Sequence, residues 1–165
     1  MARSHLIVEA LQKCGVTHVV WLPDSESRFM YDALRAVPQL TLVPVCREGE
    51  AFGIAAGLHL GGKTPVVLIQ NTGFFESGDV LRGTFLTLRL PLLLLIGYRG
   101  YHGMRAGRQP VDTAAVYTEP ILRAWGIPYV LVDTDADVDQ IPQAFADSRQ
   151  RQAPVAVLIC REYEA

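Results

Sequence analysis

The sequence predicts an α/β fold: a three-layer, doubly wound domain built on a six-stranded, mainly parallel sheet. Short apolar runs alternate with helical patterns along the 165 residues, the order expected when strands and crossover helices follow one another. The runs are continuously apolar, so we expect both faces of every strand to be buried. No linker or low-complexity stretch divides the chain, and residues 1–165 are predicted to form a single domain.

The predicted strands are the runs in which aliphatic residues follow one another. They are Val19–Leu22, Leu40–Val45, Pro65–Ile69, Pro91–Ile96, Tyr129–Val132 and Val155–Ile159. Helical spacing of apolar residues predicts the segments between them, and glycines or prolines mark several ends. These helices are a segment from Leu6 that ends before Gly15, then Arg28–Val37, Glu50–Leu60, Asp79–Leu90, Thr113–Trp125 and Asp135–Gln150. The irregular stretch Tyr98–Asp112 is predicted to be the longest loop.

The composition argues against several functional classes. A formal net charge of -2 gives no reason to expect nucleic acid or an anionic membrane as partner. The most apolar run, Leu90–Gly97, is too short to span a bilayer. The cysteines offer neither a disulfide framework nor a CxxC metal pair, and no histidine pair suggests a metal site. Because no signal-peptide core follows Met1, a cytoplasmic location is expected.

Polar residues follow four of the predicted strands. In a doubly wound sheet, ligands gather at the carboxyl ends of the strands. We therefore expect one edge of the domain to carry Pro23–Ser25, Arg47–Glu48, Gln70–Gly73 and Tyr98–Gly100.

Glu48 is the strongest candidate for chemistry. It stands between a predicted buried strand and the small, apolar helical segment Ala51–Gly57. A carboxylate at such a junction is partly withdrawn from water and close to a helix N-terminus. An acidic residue in a first turn also stabilises a helix by itself, so the residues alone leave that simpler role open.

The segment Arg47–Gly57 resembles the glutamate motif of the thiamine-diphosphate enzymes. In that motif a glycine follows the acidic residue at the ninth position, as Gly57 follows Glu48. Later segments resemble the family in the same order: Lys63–Gly73, Gly97–Gly100 and Ala124–Tyr129. The set is most similar to the decarboxylases that include sulfopyruvate decarboxylase alpha subunits and phosphonopyruvate decarboxylases, over nearly the whole chain.

The resemblance implies a thiamine diphosphate site and the residues that serve it. The carboxylate of Glu48 would hydrogen-bond a ring nitrogen of the cofactor pyrimidine and so activate the neighbouring amino group. The pyrimidine pocket is expected to be lined by Gln70, Asn71, Thr72 and Gly73. The domain is therefore expected to be of the pyrimidine-binding type.

Candidate substrate contacts are Ser25, Arg99 and Arg105. Arginine binds carboxylates and sulfonates well because its guanidinium presents several donors in one plane. Simpler roles remain open for all three: Ser25 as a helix N-cap, and the arginines as solvated loop residues.

A magnesium motif is missing. Thiamine-diphosphate enzymes hold the diphosphate through Mg²⁺ with a Gly-Asp-Gly motif and a later asparagine, which supply hard oxygen ligands. The single asparagine here is Asn71, and Gly78-Asp79 is followed by Val80. The chain is therefore expected to hold no metal itself. A beta subunit that carries the Gly-Asp-Gly motif and the asparagine is expected to bind Mg²⁺ and the diphosphate, within a hetero-oligomer.

The favoured function is the alpha subunit of a two-subunit carboxy-lyase for a small 2-oxo acid such as sulfopyruvate. The resembling proteins have Gly and Asn where this chain has Phe75 and Glu76, and Asn in place of Asp79. Phe75 removes backbone freedom and Glu76 adds an anion, which argues against an anionic substrate. Another 2-oxo acid, or carboligation, is therefore an alternative. A non-catalytic pyrimidine-type module and a flavodoxin-like domain for a flavin or nucleotide also remain open.

Overall fold

The computed structural model of the protein describes residues 1–160, which contain a sheet of six strands, all parallel. The strands are β1 (His18–Trp21), β2 (Thr41–Pro44), β3 (Pro65–Gln70), β4 (Leu92–Gly97), β5 (Tyr129–Val132) and β6 (Pro154–Ile159). Their order across the sheet is β2-β1-β3-β4-β6-β5. The predicted α/β fold with a six-stranded parallel sheet is confirmed.

Helices cover both faces of this sheet. They are α1 (Ser4–Lys13), α2 (Tyr31–Arg35), α3 (Glu48–Leu60), α4 (Asn71–Glu76), α5 (Gly78–Leu81), α6 (Tyr101–Arg105), α7 (Thr113–Ala124) and α8 (Gln140–Arg151). One apolar cluster joins α1, α2 and α8 to the sheet. A second cluster joins α3, α4, α5 and α7 to the opposite face. The structure therefore has the three layers expected of a doubly wound fold.

Burial of the strands depends on their place in the sheet. Every residue of β4 and β6 is buried, which fits their continuous apolar sequence. The expectation of two buried faces is wrong for β2, where Thr41 and Pro44 are exposed and the residues between them are half-buried. The cause is position: β2 and β5 are the two edge strands.

Several helix boundaries differ from the prediction. The predicted helix Asp79–Leu90 is instead the short helix α5 followed by a π-helical turn, Arg82–Leu86. Gly83 lies in that turn, and glycine is a weak helix former. Helix α3 begins at Glu48, two residues before the predicted start. The expected loop Tyr98–Asp112 contains helix α6. Gly100, which precedes this helix, adopts the left-handed conformation with φ +79°.

The segment after β3 is the largest departure. No helix was predicted directly after β3, whereas Asn71 begins helix α4 at the end of the strand. No apolar period marks this helix, so its sequence gives little signal. Its position matters, because α4 lies beside the start of α3 and contacts Glu48.

Candidate active site

The side chain of Glu48 lies over the open face of Gly73. A Cβ atom on Gly73 would stand 2.5 Å from Cγ of Glu48, 2.7 Å from its Oε1 and 3.0 Å from its Cδ. Real Cβ atoms do not approach so closely, so any larger residue at this position would displace the carboxylate. The absence of a side chain at Gly73 is therefore what lets Glu48 occupy its place.

Glu76 holds the residues on either side of Glu48. Its Oε2 accepts a 3.0 Å hydrogen bond from the backbone N–H of Gly49, and its Oε1 accepts one from Nε of Arg47. The hydrogen bond from Arg47 lowers the pKa of Glu76, and the same contact raises the pKa of Arg47. The anion expected near the site is thus paired, and it satisfies a free N–H at the start of α3.

Gln70 and Asn71, which precede Thr72 and Gly73 in the chain, have buried amide oxygens. Gln70 ends β3, and the fully buried Asn71 donates from Nδ2 to the backbone oxygen of Arg99 at 3.0 Å. In the part of the chain that the structure describes, Gln70 Oε1 and Asn71 Oδ1 have no hydrogen-bond partner. A buried acceptor without a partner costs about 1–3 kcal/mol, so both oxygens are suited to donors from a ligand.

The residues after β1 form a turn that is closed by Asp24. Its Oδ1 accepts hydrogen bonds from the backbone N–H of Ser27 at 2.7 Å and from the Ser27 hydroxyl at 3.0 Å. Burial raises the pKa of Asp24, and within residues 1–160 its buried Oδ2 has no partner. The sequence placed Asp24 at this edge within Pro23–Ser25 but gave it no role of its own, although Asp two or three positions before a serine is a common turn signal.

Ser25 itself is exposed and does not cap a helix, because Ser27 stands at the N-cap of the following 3₁₀ turn. The N-cap interpretation of Ser25 is therefore wrong. Its role as a substrate contact stays a prediction. A neighbour that sequence reasoning passed over, Glu26, is only 7% exposed and lies against Gly97 at the end of β4.

Of the two candidate arginines, only Arg99 contacts or shares a cavity with other predicted site residues. Arg99 follows β4, pairs through Nε with Asp112 Oδ2 at 2.9 Å, and shares a cavity of about 350 Å³ with Thr72. Asp112 also caps α7 by accepting from the N–H of Ala114. Arg105 is exposed, and its guanidinium stands over the ring of Tyr101 at 5.9 Å.

A larger cavity lies away from Glu48 and Gly73. It measures about 830 Å³ and opens beside the edge strand β2, with Trp21, Tyr31 and Leu42 among its walls. It includes Asp24 but neither Glu48 nor Gly73. We place the site by its polar groups rather than by cavity size, since an open groove beside an edge strand is large without being selective.

The donors and acceptors present fit the pyrimidine end of thiamine diphosphate. The Glu48 carboxylate over Gly73 can face a ring nitrogen, and the oxygens of Gln70 and Asn71 can accept from an amino group. Nothing in residues 1–160 groups three or more His, Cys, Asp or Glu side chains for a metal ion. A search of the same residues finds no helix with the length and apolarity that a membrane span requires.

Comparison with known proteins assigns the family. The model of the family described as thiamine pyrophosphate enzyme, N-terminal TPP binding domain, matches residues 1–116. The chain is 30% identical over 162 residues to sulfopyruvate decarboxylase subunit alpha of Methanothermobacter thermautotrophicus, covering 97% of this chain and 96% of that protein. It is 27% identical to the subunit of the same name from Methanococcus maripaludis, covering 96% and 95%.

More distant relatives match over shorter stretches or in fold alone. Phosphonopyruvate decarboxylase of Streptomyces viridochromogenes is 30% identical over 97 residues, which are 59% of this chain and 24% of that protein. The crystal structure of benzoylformate decarboxylase from Polynucleobacter necessarius shares the fold, with a TM-score of 0.70 and 19% identity, over 99% of this chain and 32% of that one. The chain belongs to the thiamine pyrophosphate enzyme family, through the N-terminal TPP-binding domain that defines it.

Proposed function

We propose that this chain is the pyrimidine-binding alpha subunit of a two-subunit, thiamine-diphosphate-dependent decarboxylase for a small 2-oxo acid. The observation that carries the proposal is the carboxylate of Glu48 held over Gly73, in the helix that begins directly after Gln70. When bound, the cofactor supplies the electron sink for the pair of electrons left by departing carbon dioxide. The names of the relatives, sulfopyruvate and phosphonopyruvate decarboxylases, support this reaction class.

Glu48 is the catalytic residue in this proposal. Its half-buried carboxylate accepts no hydrogen bond from the side chains or backbone of residues 1–160, so it is available to a pyrimidine ring nitrogen. A proton shared there favours the reactive form of the pyrimidine amino group. Gln70 and Asn71 would receive the donors of that group, while Thr72 and Gly73 shape the floor of the pocket.

The substrate is proposed to be a 2-oxo acid of the sulfopyruvate or phosphonopyruvate kind. Glu76 is paired with Arg47, so it does not present an unpaired anion to such a substrate. Arg99 is already paired with Asp112, and an anionic substrate would compete for its guanidinium. Another 2-oxo acid, or carboligation to an aldehyde, remains the alternative, with Ser25 and Arg105 as further candidate contacts.

The partner is proposed to be a beta subunit that supplies Mg²⁺ and the diphosphate site. Three relatives are named as alpha subunits. In addition, 93% of this chain matches only 38% of the longer sulfopyruvate decarboxylase of Methanosarcina acetivorans, at 23% identity. Both observations fit a chain that is one part of a larger active enzyme.

Helix α3 offers a surface for that partner. After its acidic first turn it consists almost wholly of apolar residues and glycine, a pattern of helices that are buried all round. Gly53 and Gly57 are nevertheless exposed, and Leu60 is 72% exposed. Within residues 1–160, no atom would come within 4 Å of a Cβ on either glycine. The fold of this chain therefore gives no reason for glycine there, whereas a closely packed partner would.

Affinity purification of the chain from its host, with mass spectrometry of what accompanies it, tests the proposal. We expect a stoichiometric partner with a Gly-Asp-Gly motif and a later asparagine, in a cytoplasmic fraction. The reconstituted pair should then release carbon dioxide from a 2-oxo acid only with thiamine diphosphate and Mg²⁺. A chain that purifies alone, and is inactive with every 2-oxo acid, would instead support a non-catalytic module.

A further inference from the structure

One carboxylate binds both neighbours of the proposed catalytic residue. Glu76 accepts from the side chain of Arg47 and from the backbone of Gly49, while Glu48 between them points to Gly73. Helix α4 therefore contacts this segment at two points, with Gly73 near its start and Glu76 at its end. The contact made by Glu76 affects the charges around Glu48 as well as the position of this segment.

Arg47 is a cation next to Glu48, and its charge interacts with that carboxylate as well as with Glu76. Its side chain is 77% exposed, so it has room to turn. The other acid nearby, Glu50, accepts a hydrogen bond from the backbone N–H of Cys46 at 3.3 Å. If Glu76 lost its charge, Glu48 would be the neighbouring carboxylate left for Arg47 to bind.

We propose that Glu76 is a positioning residue that holds the Arg47 guanidinium away from Glu48 and so keeps the Glu48 carboxylate available to the cofactor pyrimidine. This inference rests on the proposed function, because it concerns the same carboxylate. It adds a specific requirement: the active site needs a second acid whose task is to bind the adjacent arginine. In this role Glu76 acts on the site through Arg47.

The variants Glu76→Gln, Arg47→Gln and the double variant separate this role from a structural one. Glutamine at position 76 still offers an oxygen to the Gly49 N–H, but it no longer carries the charge that holds Arg47. We expect Glu76→Gln to weaken thiamine diphosphate binding by the complex about fivefold, the size of an exposed ion pair. Removing the arginine as well should restore affinity to within about twofold, and Arg47→Gln alone should bind as the wild type does.

Two readouts do not depend on activity. A crystal structure of the Glu76→Gln chain should show the Arg47 guanidinium on the Glu48 carboxylate. Hydrogen exchange at the Gly49 amide should be unchanged, because its acceptor is kept. The inference is overturned if Glu76→Gln binds the cofactor like wild type, if the double variant is no better than Glu76→Gln, or if Arg47 does not move.

Glu48→Gln distinguishes this failure from failure of the proposed function. If Glu48→Gln abolishes activity while Glu76→Gln behaves as wild type, only the role of Glu76 is lost. If Glu48→Gln leaves both cofactor binding and activity intact, the proposed function and this inference are both wrong.

Discussion

Glu48 fills the space that a side chain on Gly73 would need. The first residue of α3 and the third residue of α4 thus fit together only because one of them is glycine. This relationship places a carboxylate at the carboxyl-terminal edge of the parallel sheet, where ligands of such folds bind. It also makes the position of Glu48 directly testable by substitution.

Gly73→Ala should remove activity without unfolding the chain. The three atoms nearest to the added methyl group all belong to the Glu48 side chain, so we expect the carboxylate to move and the backbone to stay. We expect the activity of the complex to fall about 100-fold, the scale of a displacement of about 1 Å in a catalytic group. Thermal unfolding of the isolated chain should change little, because alanine favours the helix.

Gly83→Ala is the matched control for that substitution. Gly83 also lies in a helical turn, and a Cβ there would meet no atom of residues 1–160 within 4 Å. It should keep full activity. Full activity in Gly73→Ala, or equal losses in both variants, would contradict the proposed role of the Gly73 surface.

Gly78→Ala should destabilise the chain, in contrast to Gly73→Ala. A Cβ on Gly78 would lie 2.8 Å from Cη2 of Trp125. The indole packs against Phe74 with ring centroids 5.7 Å apart, so it cannot turn aside freely. We expect a loss of about 1–3 kcal/mol in the free energy of unfolding, measured by urea titration with tryptophan fluorescence. Unchanged stability would show that Trp125 is loosely held.

Asp24→Asn should change how stability depends on pH. Burial raises the pKa of Asp24, so the charged form is disfavoured in the folded chain. The contribution of Asp24 to stability is then greatest below the pKa of the unfolded chain, about 3.9, and falls as pH rises through the higher folded pKa. Asparagine carries no charge, so the variant does not lose stability in this way as pH rises. Its melting temperature should equal or exceed that of wild type at pH 7.

The advantage of Asp24→Asn should shrink as pH falls toward about 4. Melting temperatures of both proteins between pH 4 and pH 7 measure this trend. A variant that is less stable than wild type at pH 7, by a margin that disappears in acid, would mean that the folded chain stabilises the charge of Asp24.

Gly53→Ala and Gly57→Ala should each stabilise the isolated chain but weaken its complex with the beta subunit. Each alanine should stabilise the isolated chain by about 0.5–1 kcal/mol, since glycine is costly inside a helix. Association with the beta subunit should weaken, because the methyl groups would stand between α3 and its partner. Thermal unfolding and a binding titration measure the two effects. Unaltered association would place the partner on a different surface.

Much of the fold follows from patterns that a single sequence displays. The buried strands β3, β4 and β6 are long, continuously apolar runs that stand out from the segments around them. The sequence does not reveal that β2 is an edge strand, because its residues follow the pattern of a buried strand. Helix α4 is missed for the opposite reason: six residues with a central glycine carry no helical period.

In the same way, part of the candidate site could be predicted from the sequence and part could not. Glu48 could be proposed from the sequence because its spacing to Gly57 resembles the glutamate motif of the family. The contact with Gly73 could not, since it joins residues 25 positions apart through the packing of two helices. Likewise, Glu76 reads as an unpaired anion in the sequence, whereas the fold places Arg47 beside it. Pairings between distant elements depend on tertiary structure, which periodicity does not encode.

Activity of the Glu48→Gln variant in the reconstituted complex tests the central claim most directly. The amide keeps the shape of the side chain but cannot hold a proton for the pyrimidine. We predict that carbon dioxide release falls by at least about 100-fold, while assembly with the partner and the melting temperature stay as in wild type. Near wild-type activity in this variant would contradict the account, because the carboxylate over Gly73 would then have no part in catalysis.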